Sequence, residues 1–122
     1  SDVLCTVTPV EDPIITEIYN DSIHINAMGA DAPQKQEFNS NVTQSDDIDI
    51  IVDSYSQSMH SGEISQLAES NKISRDDIFA NLGQIVNKSV DSTNIKTQTT
   101  MFDSTGLAIQ DIATAYLIHI NR

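Results

Sequence analysis

The segment "IDIIVDS", residues 48–54, sets Ile48, Ile50, Ile51 and Val52 almost side by side. A strand that is apolar at alternate residues needs cover on one face. A near-continuous β-branched run needs it on both, which is the situation of strands in a parallel sheet flanked by helices. Two more β-rich runs precede it: "DVLCTVTP", closed by Pro9, and "SIHINAM", closed by Gly29. A fourth, "TQTTMF" at 97–102, is more polar.

Helical patterns lie between and after these runs. In "SRDDIFANLGQIVNK", Ser74 is placed as an N-cap with Asp77 three residues on, and Ile78, Leu82, Ile85 and Val86 share one helical face, so the spacing predicts one helix over 74–88. Gly83 within it points to a close packing contact. "EISQLAES" predicts a shorter helix. The last segment, "GLAIQDIATAYLIHI", carries a stripe of Ile109, Ile112, Ala113, Tyr116, Leu117 and Ile120, widened by Leu107, Ala108, Ala115 and Ile118. A helix so apolar needs cover from more than one side. "SNVTQSDD" and "NKSVDSTNIKTQTT" read as polar connectors. Strands alternating with helices predict an α/β fold with about four mostly parallel strands.

Charge narrows the function. Eighteen acids against six lysines and arginines leave a net charge of −12, so no basic face is available for nucleic acid. No apolar run reaches the roughly 18 residues that a membrane span requires. The acids are mostly scattered aspartates, which fits a protein adapted to concentrated salt and equally a merely acidic one. Stability that keeps rising beyond about 1 M salt, past ordinary screening, is the outcome expected of the first, read as the thermal midpoint against salt. The single cysteine, Cys5, reads as a small core residue in a reducing, cytoplasmic setting.

In parallel sheets, ligands bind beyond the carboxyl ends of the strands. Those ends are "TVTP", "NAMGAD" and "VDSYS", so Asp31 lies where a ligand is expected. The chain has only four glycines, Gly29, Gly62, Gly83 and Gly106, and no G-x-G-x-x-G turn can be made from them. The domain reads as an α/β sheet entered halfway through. His24, His60 and His119 lack the spacing of a metal site, and His24 reads as a packed core residue. Ser58 and His60 read as structural, not as parts of a Ser-His-Asp set.

"HINAMGADAPQKQEF", "IIVDS", "MHSGEI", "ISRDDIFANLGQIV" and "MFDSTGLAIQDIATAYL" stand in the order and spacing of the ornithine cyclodeaminase/mu-crystallin family. The chain resembles that family over nearly its whole length, above all its archaeal alanine dehydrogenase branch. The resemblance implies the C-terminal part of a Rossmann-like NAD(P)-binding domain in residues 1–96. It implies a strand and helix in 97–122 that return to a substrate and dimerisation domain. The family's glycine-rich turn, and its substrate-binding lysine and arginine, would lie upstream of Ser1. The bare apolar helix is then explained by a missing neighbour.

Carried over by position, Asp31 matches the family's acid/base and substrate-contacting residue. Met28, Gly29 and Ala30 line the nicotinamide side of NAD or NADP, and Lys35 is a cofactor contact. Thr6 and Thr8 belong to the strand end that borders the dinucleotide. Ser104 meets the cofactor and Thr105 the substrate. Gln34 stands where many members carry glycine.

Each match has a plainer alternative. Beside a bound dinucleotide, Asp31 would be desolvated, its pKa raised, and able to exchange protons with a substrate amine. Alone, it is a turn aspartate capping local N–H groups. Ser104 and Thr105 ahead of a helix starting near Gly106 can offer free N–H groups to an anion, or serve as an ordinary N-cap. Lys35 is a point charge for a phosphate or ribose, or a solvated surface lysine.

The resemblance implies NAD(P)-dependent chemistry on a small L-amino acid, with alanine dehydrogenase-like oxidative deamination first. Conversion of L-ornithine to L-proline and ammonia is the alternative. A non-catalytic remnant, or half of a split protein needing a companion chain or a second copy through residues 107–120, is a reading of another class. Binding of cofactor and small ligand without turnover is a further one, against which the presence of Asp31 argues.

Overall fold

The computed structural model describes residues 2–19 and 22–121. Five parallel strands form one sheet: β1 (Val3–Thr6), β2 (His24–Ala27), β3 (Ile48–Val52), β4 (Ala80–Asn81) and β5 (Thr99–Asp103). Their spatial order is β1-β2-β5-β3-β4, so the polar run at 97–102 supplies the central strand. The helices are α1 (Ser40–Thr43), α2 (Tyr55–Ser58), α3 (Ser65–Glu69), α4 (Leu82–Val86) and α5 (Ala108–Ile120). The α/β class with parallel strands is as the sequence predicts. No helix among the described residues is long and apolar enough to cross a membrane.

Register shows how the sheet is covered. Ile25 pairs with Met101 and Met101 with Ile50, so these side chains share one face, as do Ala27, Asp103 and Val52. That face is buried: Ile25, Ala27, Met101 and Val52 are fully inaccessible and pack against Phe38, Val42 and Ile64. On the opposite face, His24, Asn26, Thr100 and Phe102 are only half-buried, while Ile51 is buried. Cover on both faces therefore holds for β3, the strand whose sequence demands it, and not for β2 and β5. β2 alternates and β5 is largely polar, so one covered face suffices.

Cys5 is exposed, contrary to the core reading, because its side chain projects from the edge strand β1 onto the less covered face. His24 is half-buried and bonded through Nδ1 to Thr100 Oγ1 at 2.7 Å.

The helix expected over 74–88 does not form. Its start is correct in kind: the Asp77 carboxylate accepts from Ser74 N and Oγ at 2.7 and 2.8 Å. The helix then stops after one 3₁₀ turn, Arg75–Asp77. The Phe79 N–H donates to the Ile50 carbonyl at 2.9 Å, and Ala80–Asn81 becomes the edge strand β4. Asn81 starts α4 by a reciprocal capping box with Gln84. The open edge of β3 satisfies these N–H groups, and alternate burial of Ile78 and Ala80 rewards an extended chain. Leu82 and Val86 are left exposed. Gly83 makes no close packing contact; a Cβ there would meet only Asn81 Oδ1 at 3.3 Å. The connector at 40–47 contains α1, capped by Asn39, whose side chain accepts from Asn41 N at 3.0 Å. The helices expected at 63–70 and at the C-terminus both form, as α3 and α5.

Candidate functional site

Most of the residues singled out from sequence lie at the carboxyl edge of the sheet. Thr6 ends β1 and Thr8 follows it, Met28–Asp31 follow β2, and Ser104 and Thr105 follow β5. Backbone bonds tie these turns together: Met28 N donates to Thr6 O at 2.9 Å and Ser104 N to Ala27 O at 3.0 Å.

Four carboxylates, three of them buried and Asp53 half-buried, hold them in place. Glu37 is fully inaccessible and accepts from Thr8 N at 2.6 Å, Thr8 Oγ1 at 2.7 Å and Gly29 N at 3.0 Å. Glu63, also inaccessible, accepts from Glu37 N at 2.9 Å and Phe38 N at 3.0 Å. Asp103, at the end of β5, accepts from Glu63 N at 3.0 Å and Ile64 N at 3.4 Å. Asp53, after β3, accepts from Thr105 N and Thr105 Oγ1, both at 2.8 Å, and from Ser104 Oγ at 3.4 Å. Burial pushes the Glu63 carboxyl up to about 7, and the nearby Glu37 charge adds to it. Burial likewise pushes Asp103 up to about 7, with Glu63 and Asp53 adding repulsion.

None of these four acids stood out in the sequence, where acids read as surface charge. A signal was present: each has an apolar or glycine neighbour, in "QKQEF", "SGEI", "MFD" and "IVDS".

Asp31 stands apart from them. Its side chain is exposed and forms an ion pair with Lys35 Nζ at 2.6 Å. The hydrogen bond from Lys35 holds the Asp31 carboxyl below the ordinary aspartate value, the opposite of what desolvation beside a ligand would do. Lys35 is engaged by that acid and not free for a phosphate. Gln34 has φ 72, in the left-handed region that glycine tolerates best, which explains why glycine suits that position.

The Thr8 hydroxyl is occupied by Glu37, whereas the buried Thr6 Oγ1 has no hydrogen-bond partner. Met28 is 40% exposed beside the buried Gly29 and Ala30. Ser104 and Thr105 do not cap α5: Leu107 occupies the N-cap position without a side-chain bond, and both residues belong to Asp53. Gly106 has φ 76, and a Cβ there would meet nothing within 4 Å, so the backbone is open to approach. Ser58 is fully buried with its hydroxyl unpartnered, and the His60 ring turns to the Ser56 carbonyl. Among the described residues, no group of three His, Cys, Asp or Glu is arranged to hold a metal.

Two surface grooves of about 800 and 830 Å³ lie at the opposite, amino-terminal end of the sheet, against Ile48 and Thr97. The Gly29–Asp31 turn, the buried unpartnered Thr6 hydroxyl and the open Gly106 backbone are all at the carboxyl end. The site is placed there on that chemistry and not on groove size.

Residues 1–122 match the ornithine cyclodeaminase/mu-crystallin family. The chain belongs to that family. It is 38% identical over 121 residues to the alanine dehydrogenase of Archaeoglobus fulgidus, covering 98% of this chain and 37% of that relative. Among solved structures, an archaeal alanine dehydrogenase dimer with bound NAD superposes with a TM-score of 0.86 at 37% identity, over 98% of this chain and 37% of that one. The Δ1-pyrroline-2-carboxylate reductase of Thermococcus litoralis, in complex with NADH and L-proline, gives 0.83 at 27% identity, over 96% and 36%. The chain thus spans little more than a third of the length of these relatives.

Proposed function

We propose that this chain supplies the nicotinamide-side strand ends of an NAD-dependent enzyme acting on a small L-amino acid, by alanine dehydrogenase-like oxidative deamination. The observation that carries the reading is the placing of Asp31 on the Gly29 turn, next to the ends of β1 and β5, in a family member 38% identical to an alanine dehydrogenase. The residues fit one end of a dinucleotide. Thr6 carries a buried unpartnered hydroxyl, and Gly106 leaves room for close approach. Nothing in this chain resembles a pyrophosphate-binding turn. The relatives solved with NAD and NADH favour NAD over NADP.

Bound NAD would accept the hydride from the substrate Cα. The chain's own part is proton handling and positioning. Asp31, ionised and water-accessible, can take a proton at its carboxylate from the substrate ammonium or from the attacking water. Ligand binding would compete with Lys35 for Asp31, freeing Lys35 for a cofactor oxygen. Ser104 and Thr105, locked by Asp53, present a fixed backbone to the ligand. Cyclisation of ornithine uses the same hydride and proton steps and is the second reading. A cytoplasmic setting fits the exposed, unpaired Cys5 thiol.

A ¹⁵N-labelled chain titrated with NAD⁺ and then L-alanine tests this. Shifts confined to the amides of Thr6, Met28–Asp31 and Ser104–Gly106 are expected. No shift at millimolar ligand, or shifts only around the opposite grooves, would reject it. The chain by itself is expected not to turn over alanine or ornithine with either cofactor, and measured turnover would remove the need for any further part.

A companion part would find its docking element in α5. Every residue of α5 is exposed, including Ile109, Ile112, Tyr116, Leu117 and Ile120 at 52–64%. A bare apolar helix of this size is rarely left in water. The proposal is that α5 covers itself with a second copy or a companion chain, as the helix that leaves the cofactor sheet for a substrate and dimerisation domain. Sedimentation of the wild type is expected to show dimers or larger species. Ile112→Asp should shift them to monomer without lowering the thermal midpoint, since α5 adds nothing to the core. A monomeric wild type at high concentration would contradict this.

A further inference from the structure

The acids at the sheet's carboxyl edge form a series in which each side chain grips the backbone that carries the next. Asp103 accepts from the Glu63 and Ile64 amides. The Glu63 side chain accepts from the amides of Glu37 and Phe38. The Glu37 side chain accepts from Thr8 and Gly29. Asp103 with Glu63, Glu63 with Glu37, and Glu37 with Thr8 are 40, 26 and 29 residues apart in sequence, so no local turn explains these three links. Two glycines are shaped to this series. A Cβ on Gly62 would stand 2.7 Å from Asp103 Oδ2, and one on Gly29 would stand 2.5 Å from Glu37 Cδ.

We propose that Glu63 is a positioning residue whose proton state is relayed through Glu37 to the Gly29–Asp31 turn. Glu63 touches neither that turn nor Thr8, yet it holds the backbone from which the Glu37 side chain reaches them. When ionised, Glu63 meets the charges of Glu37 and Asp103 in a dry interior, and Asp103 in turn faces Asp53. Among the described residues, the ion pair is Lys35 with Asp31, and no cation offsets this cluster. His60, three residues before Glu63, turns to the Ser56 carbonyl. Protonating Glu63 leaves one oxygen as a strong acceptor where two were shared, so the Glu37–Phe38 amides and the groups beyond them must readjust. The turn that carries the proposed proton-transfer acid is then set by a group outside the ligand's reach.

The functional meaning rests on reading that turn as ligand-facing, but the coupling is tested without any ligand, so either can fail alone. The full chain, labelled with ¹³C and ¹⁵N, is titrated from pH 4 to 9. The Glu63 carboxyl carbon is expected to titrate near pH 7. The Thr8 and Gly29 amides, whose direct acceptor is Glu37, should shift along the same curve. In Glu63→Gln that component should vanish from both amides while the core methyl signals stay dispersed. A merely structural Glu63 would leave these amides flat through its own titration. The proposal is overturned if they are flat, if they follow only the Glu37 carboxyl at another pH, or if Glu63 does not titrate in this range. Should Glu63→Gln fail to fold, the wild-type curves decide: coincident midpoints support the relay and separate ones reject it.

Discussion

Gly29→Ala is expected to destabilise the fold by about 3 kcal/mol or more. The new Cβ would lie 2.3 Å from the Thr8 carbonyl oxygen, 2.5 Å from Glu37 Cδ and 2.7 Å from Glu37 Oε1. Neither neighbour yields easily. The Thr8 carbonyl is backbone, and the Glu37 side chain is fully buried and bonded to Thr8 and to Gly29 itself. Relief requires breaking those bonds, which strands a buried carboxylate without donors. Chemical denaturation at fixed pH measures it, with Gly83→Ala as the contrasting case. There a Cβ meets only a side-chain oxygen at 3.3 Å, and the change should stay within about 1 kcal/mol. A loss below about 1 kcal/mol for Gly29→Ala would show that the turn can open without cost to Glu37.

The second large effect is on pH dependence. Glu63 goes from an ordinary 4.5 to about 7 in the fold, and Asp103 from 3.8 to about 7. Both raised values mean that the folded chain holds protons that the unfolded chain has already lost between about pH 4 and 7. Stability is therefore greatest at the acidic end of that window and falls as pH rises through 7. The gap at Glu63 alone is worth on the order of 3 kcal/mol. The exposed acids Asp31, Asp77 and Asp91 are shifted downward, so their contribution has the opposite sign and is lost only under more acidic conditions.

Denaturation midpoints should thus be higher at pH 5 than at pH 8. The net charge of −12 gives the same trend by plain self-repulsion, so the comparison belongs at high salt, where screening removes most of it. Under those conditions Glu63→Gln should flatten much of the slope, because its amide oxygen can still accept from the Glu37 and Phe38 amides but no longer titrates. An unchanged slope in the variant, or a wild type more stable at pH 8, would contradict the burial of an ionisable Glu63.

Pattern along the chain determined much of this protein. Short β-rich apolar runs, near-continuous in β3, mark β1, β2 and β3, and the 3.6-residue stripe marks α5, because each pattern is a property of neighbours in sequence. The motif blocks place the family for the same reason: "HINAMGADAPQKQE" and "FDSTGLAIQD" are contiguous. They also place Asp31, Gly29 and Ser104 just past strand ends, at the carboxyl edge of the sheet.

What the tertiary structure alone decided are features whose partners lie far away. The 74–88 segment carries a helical stripe, but the free edge of β3 takes the Phe79 amide and turns Ala80–Asn81 into a strand. Cys5 has the look of a core residue and faces outward because β1 ends the sheet. Most of all, Glu37, Glu63 and Asp103 are acids in a strongly acidic chain, and an apolar or glycine neighbour is the one local sign of their burial. They are inside because backbone N–H groups 25 to 40 residues away converge on them, and only the folded sheet brings those donors within hydrogen-bonding distance.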